Sequence, residues 1–275
     1  MTTLTDLPED FELLRAGRTT AVVRRSAKDR LLAIGVLDEA ALEQTRAQGQ
    51  ALGGGRGGAV SVALDPRSGE RAVIRHFHRG GMLGRLLGDR YFSAARPLAE
   101  IGVSEAARAA GVSTPECLAA VIRGGFGFCR CDLILREIPQ AVSLDQWLLE
   151  SPPPKRLPDV RKAVAATFAK LFAANIYHPD LHAGNVLIQT DGDTVTAWVI
   201  DLDKARRAGV LGERLRNEML FRFNRALVKR GLSPRPVSLI ERARFCREIG
   251  VGQGEALRRF AEGCDAHLRR HSWRY

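Results

Sequence analysis

The stretch "YHPDLHAGNVLIQTDGDTVTAWVIDLDKAR", residues 177–206, carries the clearest indication of the fold of this chain. Within it, "NVLIQT" and "VTAWVID" are apolar runs of strand length, joined by a turn whose Asp-Gly dipeptide accepts the positive φ of a short hairpin. The hairpin brings Asn185, at the start of one strand, beside Asp201, at the end of the other. Asp180 lies on the loop that precedes Asn185. The spacing therefore predicts that two carboxylates and one carboxamide meet at one edge of a hairpin.

Oxygen ligands of this kind suit Mg²⁺, which proteins hold through a few side-chain oxygens together with phosphate oxygens and water. An aspartate on the preceding loop can orient a substrate hydroxyl and accept its proton while the metal screens the phosphates. Asn185 and Asp201 are thus candidate metal ligands, and Asp180 is a candidate catalytic base. In the alternative interpretation, the two aspartates cap turns and Asn185 forms an Asx-turn. The joint spacing favours a site for phosphoryl transfer.

Length and composition predict one bilobal domain or two small ones, because 275 residues that are 45% hydrophobic can bury a good core. The five cysteines include no C-x-x-C pair, which favours a reducing, cytoplasmic compartment. The first fourteen residues are acidic and show no apolar run of signal-peptide length. No apolar stretch of the sequence is long enough to span a bilayer, so we expect a cytoplasmic protein.

The charge balance favours an anionic partner, since 42 basic and 31 acidic residues leave a net charge of +11. Nucleic acid, acidic lipid headgroups and a phosphorylated substrate all fit that surplus. With only 6% aromatic residues and no recognisable binding motif, the sequence argues against nucleic acid.

The chain is predicted to have a β-rich first part, residues 1–139, and a mostly helical second part, residues 140–275. In the first part we predict a hairpin at 11–26, helices at 26–37, 38–48 and 96–110, and strands at 51–64, 71–77, 117–122 and 129–138. In the second part, prolines 152–154 predict an extended connector between two helical segments.

The C-terminal tail is basic and helix-like, and it places Leu257, Phe260, Ala261 and Cys264 on one helical face. We interpret this face as docked on the protein, with membrane contact as the alternative.

The segments "HPDLHAGNV" and "VIDLDKAR" resemble the H-R-D-L-x-x-x-N catalytic loop and the D-F-G element of the protein-kinase-like fold. The resemblance implies a bilobal α+β fold with a β-rich N-lobe and a helical C-lobe. It implies that Asp180 is the catalytic base and that His178 supports the catalytic loop. It also implies that Asn185 and Asp201 bind Mg²⁺ and that ATP is the phosphoryl donor.

Two departures from the kinase pattern bear on the substrate. Pro179 stands where arginine is usual, and Leu202-Asp203 replaces Phe-Gly. Downstream of Asp203 the sequence contains no A-P-E element and no long activation segment. We therefore expect a small or lipid-linked hydroxyl compound as acceptor, in place of a protein.

A glycine cluster, "GGGRGGAV", is the candidate phosphate-binding loop. The backbone N–H groups of Gly55, Arg56, Gly57 and Gly58 are expected to contact the nucleotide phosphates. A plain flexible turn is the alternative interpretation of these glycines.

In the following strand, Arg75 of "AVIRHF" takes the place of the lysine that pairs with the α- and β-phosphates in kinases. Arginine can hold phosphates through its planar fork but is not interchangeable with lysine. Its expected partner is Glu100 on the next helix, and Glu105 is the second candidate. In the alternative interpretation, each of them is an exposed glutamate on the helix surface.

The basic run "RHFHRGGMLGRLLGDRYF", together with "GVSTPECLAAVI" and "LREIPQAVSL", resembles the bacterial lipopolysaccharide kinases, most of all those that act on 3-deoxy-D-manno-octulosonic acid (Kdo). The resemblance runs from about Gly53 to Lys229. It implies ATP- and Mg²⁺-dependent phosphorylation of a sugar hydroxyl of Kdo–lipid A. It further implies a peripheral position on the cytoplasmic face of the bacterial inner membrane.

Arg79, Arg85 and Arg90 are expected to attract the anionic acceptor or the anionic membrane surface. The alternative is a solvated loop whose charge has no partner.

Three other functions remain open on the sequence: a kinase of a core heptose, a soluble small-molecule kinase, and a silent pseudokinase scaffold. The missing lysine motivates the last of these. The joint presence of Asp180, Asn185 and Asp201 argues against it, because a scaffold has no need of all three.

Overall fold

The structure, a computed structural model, describes residues 7–53, 58–77, 95–125, 128–150, 153–252 and 254–271. The chain divides into two compact units. The first comprises Met1–Glu105 and Pro115–Glu137, and the second comprises Ala106–Thr114 and Ile138–Tyr275.

The first unit is built on an antiparallel sheet. Its strands within the described ranges are β1 (Phe11–Ala16), β2 (Thr19–Arg24), β3 (Gln50–Ala51), β4 (Val60–Asp65), β5 (Glu70–His76), β6 (Cys117–Gly125) and β7 (Phe128–Arg136). They lie in the order β1-β2-β6-β7-β5-β4-β3. The predicted N-terminal hairpin is confirmed, and it turns at Gly17, whose φ of +54° suits a residue without a Cβ.

Three helices within the described ranges pack on the sheet: α1 (Lys28–Ala33), α2 (Glu39–Ala47) and α3 (Ala95–Ala109). The prediction for α2 is confirmed, because the Asp38 carboxylate accepts hydrogen bonds from the first-turn N–H groups of Ala40 and Ala41. The prediction that Ser26 caps a helix running to Leu37 is wrong. A 3-10 turn occupies Arg25–Ala27, and α1 ends at Ala33 before Gly35, which adopts a φ of +86°.

Both faces of the sheet are buried, and consecutive residues of a strand point to opposite faces. On β2, Ala21 and Val23 pack with Leu31 of α1 and Leu42 of α2. Val22 points to the opposite face, whose cluster includes Leu98 and Ile101 of α3. The two faces therefore place consecutive residues of each strand in different surroundings, which determines the partners of Arg75 and His76 on β5.

The second unit is mostly helical, with short strands around the motif of interest. Its elements are β8 (Val142–Ser143), α4 (Leu144–Leu149), α5 (Leu157–Ala173), β9 (Ile176–Tyr177), β10 (Val186–Asp191), β11 (Thr194–Val199), β12 (Arg206–Arg207), α6 (Glu213–Lys229), α7 (Leu239–Glu248) and α8 (Glu255–His271). The predicted hairpin is confirmed as β10 and β11, which pair from Val186 with Val199 to Asp191 with Thr194. Strand β8 extends this hairpin, and β9 pairs with β12.

The extended connector predicted at prolines 152–154 is confirmed at Pro153, whose φ of −54° and ψ of 126° are close to polyproline II, and is wrong at Pro154. Pro154 begins a 3-10 turn, Pro154–Arg156, that leads into α5. Proline suits this position because its fixed φ matches a helical turn and it lacks the N–H that a first turn leaves unpaired.

The helices of the second unit pack through an aromatic cluster. Phe168 of α5 meets Phe223 of α6 and Phe245 of α7 edge-on, with ring centroids 5.1 and 5.8 Å apart. Beside the cluster lies an apolar cavity of about 310 Å³, which the predicted apolar face of the tail helix α8 helps to line. The interpretation that this face of the tail helix is docked on the protein is thus confirmed.

Among the residues that the structure describes, no helix combines the length and apolar character needed to cross a bilayer.

Candidate active site

The loop after β9 begins with a buried histidine. His178 is 1% exposed, and its Nδ1 accepts a hydrogen bond from the N–H of Asp180 (3.2 Å). Its Nε2 lies 3.2 Å from the carbonyl oxygen of Ile200, which assigns the ring proton to Nε2. Burial lowers the pKa of His178, so the ring is neutral at pH 7. The neutral imidazole links the start of the loop to the segment that follows β11.

A 3-10 turn carries Asn185 to the end of this loop, directly before β10. Its Nδ2 donates a hydrogen bond to the carbonyl oxygen of Asp180 (2.9 Å), and its own carbonyl oxygen accepts one from Ile200 (3.0 Å). The turn itself is held by His182, whose Nδ1 accepts from the N–H of Gly184 (3.1 Å). These bonds tie the backbone of Asp180 and the residue before Asp201 to one asparagine.

Asp201 stands in a conformation that side chains rarely adopt, with a φ of +61°. Such a residue costs about 1–3 kcal/mol of strain and is found mainly where function requires it. The next residue, Leu202, is buried, and its carbonyl oxygen accepts a hydrogen bond from Ala205 that turns the chain. Leu202 thus anchors the turn in the position where the kinase pattern has phenylalanine.

The donor set fits a magnesium ion that is bound mainly through phosphate and water. Within the described part of the chain, no three His, Cys, Asp or Glu side chains form a metal-binding group. The candidate ligands are one carboxylate, Asp201, and one amide oxygen, that of Asn185, whose Nδ2 is engaged by Asp180. Mg²⁺ is commonly held by one or two protein ligands together with substrate phosphates, so this set suits it better than a caged metal.

The loop of residues 178–185 has a further neighbour that the sequence did not predict. Asp145, in the first turn of α4, is buried, and its Oδ2 lies 3.3 Å from the place where a Cβ on Gly184 would stand. The same oxygen pairs with Nη1 of Arg230, just beyond α6. The available signal was a single acidic residue inside the apolar run "SLDQWLL".

In the first unit, the predicted pair between Arg75 on β5 and Glu100 on α3 forms. Glu100 is 2% exposed, and the Arg75 guanidinium also lies over the ring of Phe77, 5.0 Å from its centroid. The second candidate, Glu105, instead pairs with Arg24 at 2.5 Å. Glu100 is therefore not an exposed residue on the helix surface, as the alternative interpretation would have it.

The structure describes only part of the other predicted nucleotide and acceptor residues. Gly58 has a φ of +56°, and a Cβ there would meet nothing within 4 Å. The other glycine-cluster residues, Gly55, Arg56 and Gly57, and the basic-run residues, Arg79, Arg85 and Arg90, lie outside the described residues.

Comparisons with known proteins agree on one family. Residues 42–243 match the model of the Lipopolysaccharide kinase (Kdo/WaaP) family. The chain is 32% identical to the 3-deoxy-D-manno-octulosonic acid kinase of Pasteurella multocida over 189 residues, which are 66% of this chain and 77% of that protein. It is 31% identical to the enzyme of the same name from Vibrio parahaemolyticus over 204 residues, 71% of this chain and 82% of that protein.

Among solved structures, WaaP in complex with acyl carrier protein is similar with a TM-score of 0.59 and 21% identity. The similarity covers 91% of this chain and 96% of that one. The α+β, protein-kinase-like fold predicted from the catalytic-loop sequence is thereby confirmed, as is the family resemblance drawn from the motifs.

Proposed function

Because this chain belongs to the lipopolysaccharide kinase (Kdo/WaaP) family, we propose that it transfers the γ-phosphoryl group of ATP to a sugar hydroxyl of Kdo in the lipopolysaccharide inner core. The observation that carries the proposal is the hydrogen-bonded junction of Asp180, Asn185 and Ile200, which leads directly into Asp201. The relatives quoted above are named as Kdo kinases, which favours Kdo over a core heptose as acceptor.

Asp180 is the proposed catalytic base. Its carboxylate orients the acceptor hydroxyl and takes its proton as the oxygen bonds to the γ-phosphorus and the bond to ADP breaks. Its backbone is held from two sides, by the side chains of His178 and Asn185. This positioning supplies much of the rate enhancement in phosphoryl transfer, where alignment of the reacting oxygens dominates.

Asn185 and Asp201 are the proposed holders of Mg²⁺, which supplies charge neutralisation on the phosphates when bound. The strained φ of Asp201 supports this role, because the turn commits its backbone to one conformation. Leu202 and the bond from Ala205 keep the turn in place.

We assign nucleotide binding to residues 1–139 and acceptor activation to residues 140–275. Arg75, held by Glu100, presents a planar guanidinium to the α- and β-phosphates in place of lysine. The backbone of the glycine cluster, Gly55 to Gly58, covers the phosphates. Burial of Glu100 beside Arg75 supports a fixed orientation of the guanidinium, since a buried carboxylate requires a cationic partner.

We place the protein on the cytoplasmic face of the inner membrane, at the anionic surface that holds its acceptor. A net charge of +11 supports this location, with each basic group near such a surface contributing about 1 kcal/mol. Arg79, Arg85 and Arg90 are the proposed contacts. Flotation with anionic vesicles at physiological salt tests the location, and a protein that stays unbound fits the soluble small-molecule kinase instead.

The decisive experiment is transfer of radiolabelled γ-phosphate from Mg-ATP to purified Kdo–lipid A. An Asp180→Asn variant serves as the control, and a heptose-containing core provides the second acceptor. Label on Kdo–lipid A that is absent from the control supports the proposal. Label on the heptose core alone overturns the choice of acceptor, and label on neither acceptor despite ATP binding favours the pseudokinase scaffold.

A further inference from the structure

Arg230 occupies a rigid backbone position directly after α6. Its N–H donates to Ala226 (3.1 Å), and the N–H of Gly231, with a φ of +70°, donates to Val228 (3.0 Å). Leu232 then donates to Leu227 (2.9 Å), which completes a Schellman ending of the helix. The base of the Arg230 side chain is therefore fixed in space before any ligand binds.

The tip of the same side chain is fixed by Asp145. Nη1 of Arg230 pairs with Oδ2 of Asp145, whose Oδ1 accepts a hydrogen bond from the N–H of Gln146 (2.9 Å). The Asp145 side chain is 5% exposed, whereas that of Arg230 is 48% exposed. A buried carboxylate requires a cationic or hydrogen-bonding partner, so Asp145 commits the guanidinium to this place.

The pair lies against the catalytic loop. Oδ2 of Asp145 approaches Gly184, the residue before Asn185, so closely that a Cβ there would stand 3.3 Å away. Asn185 in turn holds the backbone of Asp180, the proposed base. The half-exposed Arg230 therefore contacts Asp145, and Asp145 contacts the loop that carries the proposed base.

The Arg230 side chain is about half exposed and has hydrogen-bond donors left for a ligand. Arginine has five N–H donors in a planar fork, and within the described ranges Asp145 is the ionic partner that Arg230 contacts. The remaining donors match a carboxylate or a phosphate, which arginine binds in a bidentate manner. Because both ends of the side chain are held, little conformational entropy is lost when such a group binds.

We propose that Arg230 binds an anionic group of the acceptor, a carboxylate or a phosphate, and that Asp145 is the positioning residue that holds it beside the catalytic loop. The inference rests on the proposed function and adds to it a residue that determines acceptor specificity. A neutral sugar of similar size lacks the group that Arg230 recognises and is a poor acceptor.

The first test compares Arg230→Gln and Arg230→Lys with the wild-type protein. We expect Arg230→Gln to raise the KM for Kdo–lipid A at least about tenfold, as loss of a charge-assisted hydrogen bond predicts, while the KM for ATP changes by less than about twofold. Arg230→Lys retains part of the affinity because it keeps the charge without the fork. The matched control is Arg259→Gln, which removes an exposed arginine paired with Glu255 on α8 and leaves both constants unchanged.

A second variant separates recognition from folding. Arg230→Gln alone leaves the buried Asp145 carboxylate without its cation and lowers the melting temperature. The double variant Asp145→Asn with Arg230→Gln removes both charges, so it is expected to recover much of the stability but none of the acceptor affinity. Recovery of wild-type acceptor affinity in the double variant overturns the proposal.

Acceptor binding is also measured directly, without ATP, by titration of the protein with Kdo–lipid A, its methyl ester at the Kdo carboxylate, and its dephosphorylated form. If the wild-type protein binds the methyl ester more weakly than Kdo–lipid A, the carboxylate is the group that Arg230 binds. If it binds the dephosphorylated form more weakly, the group is a phosphate. In either case Arg230→Gln no longer distinguishes the modified acceptor. Equal affinity of wild type and variant for all three compounds, or no binding by the wild type, overturns the inference. Binding that depends on Arg230 without phosphate transfer upholds it and refutes the proposed function.

Discussion

The side-chain amide of Asn185 donates a 2.9 Å hydrogen bond to the backbone carbonyl of Asp180, so the proposed metal ligand and the proposed base are parts of one rigid loop. The bond uses Nδ2 and leaves the amide oxygen available to a cation. Because the acceptor is the backbone carbonyl of Asp180, this bond holds the loop without using the Asp180 carboxylate. Asp180 is exposed, so a change of its side chain is expected to cost little stability.

Asp180→Asn is therefore expected to reduce kcat by a factor of about 10² to 10⁴, the usual contribution of a general base, with little change in stability. Single-turnover transfer from Mg-ATP measures the rate, and thermal unfolding measures stability. Turnover close to that of the wild type in a folded variant would refute the role of Asp180.

Arg75 is expected to bind nucleotide through a guanidinium that Glu100 holds. Arg75→Ala should raise the KM for ATP about tenfold or more and lower the melting temperature, because a buried carboxylate loses its partner. Arg75→Lys should restore part of both. The control is Arg71→Gln on the same strand, whose partner Glu137 is partly exposed, and it should leave the KM for ATP unchanged. A KM for ATP in Arg75→Ala equal to that of the control contradicts the assignment.

His178 predicts a specific dependence of stability on pH. Because burial lowers its pKa in the folded protein, the unfolded chain takes up a proton at His178 more readily than the folded chain does. The stability that His178 contributes is present above the ordinary histidine pKa of about 6.5 and is lost as the pH falls below it.

The measurement is the melting temperature of the wild type and of His178→Gln between pH 7.5 and 5.0. The wild type should lose more stability over this range than the variant, in which position 178 cannot titrate. Parallel curves for the two proteins would show that His178 is protonated with an ordinary pKa.

The cysteines are expected to be unreactive in the folded protein. Burial raises the pKa of Cys246 to about 11 and the pKa values of Cys117 and Cys264 to about 12, and it also raises the pKa of Cys131. At pH 8, a chromogenic disulfide reagent should react first at the half-buried Cys129 and reach five thiols only after unfolding. Rapid labelling of Cys246 or Cys264 in the native protein would contradict this burial.

These raised pKa values also predict the behaviour at high pH. The folded protein keeps thiols protonated that the unfolded chain ionises above pH 9, so the stability they contribute is present below that pH and is lost as the pH rises toward 12.

The features that depend on local spacing could be predicted from the sequence. The alternation of apolar residues and the Asp-Gly turn predicted the β10–β11 hairpin, and the hairpin predicted that Asn185 lies beside Asp201. In the structure the N–H of Ile200, the residue before Asp201, donates to the backbone carbonyl of Asn185. Helical spacing likewise located α3, whereas Glu100 was named as the partner of Arg75 by the resemblance to the kinase pattern. Strand and helix periods fix which neighbouring residues share a face, so pairs related by one such element could be predicted without a structure.

Contacts between residues that no strand or helix period relates became visible in the three-dimensional structure. It showed that Glu105 pairs with Arg24 of a distant strand, and that α1 ends early because the chain turns at Gly35 to let Val36 enter the core. It also brought Asp145 and Arg230 together beside Gly184. Local sequence does not encode such pairs, because they arise from the packing of whole helices, whose relative positions depend on the volume and shape of the side chains between them.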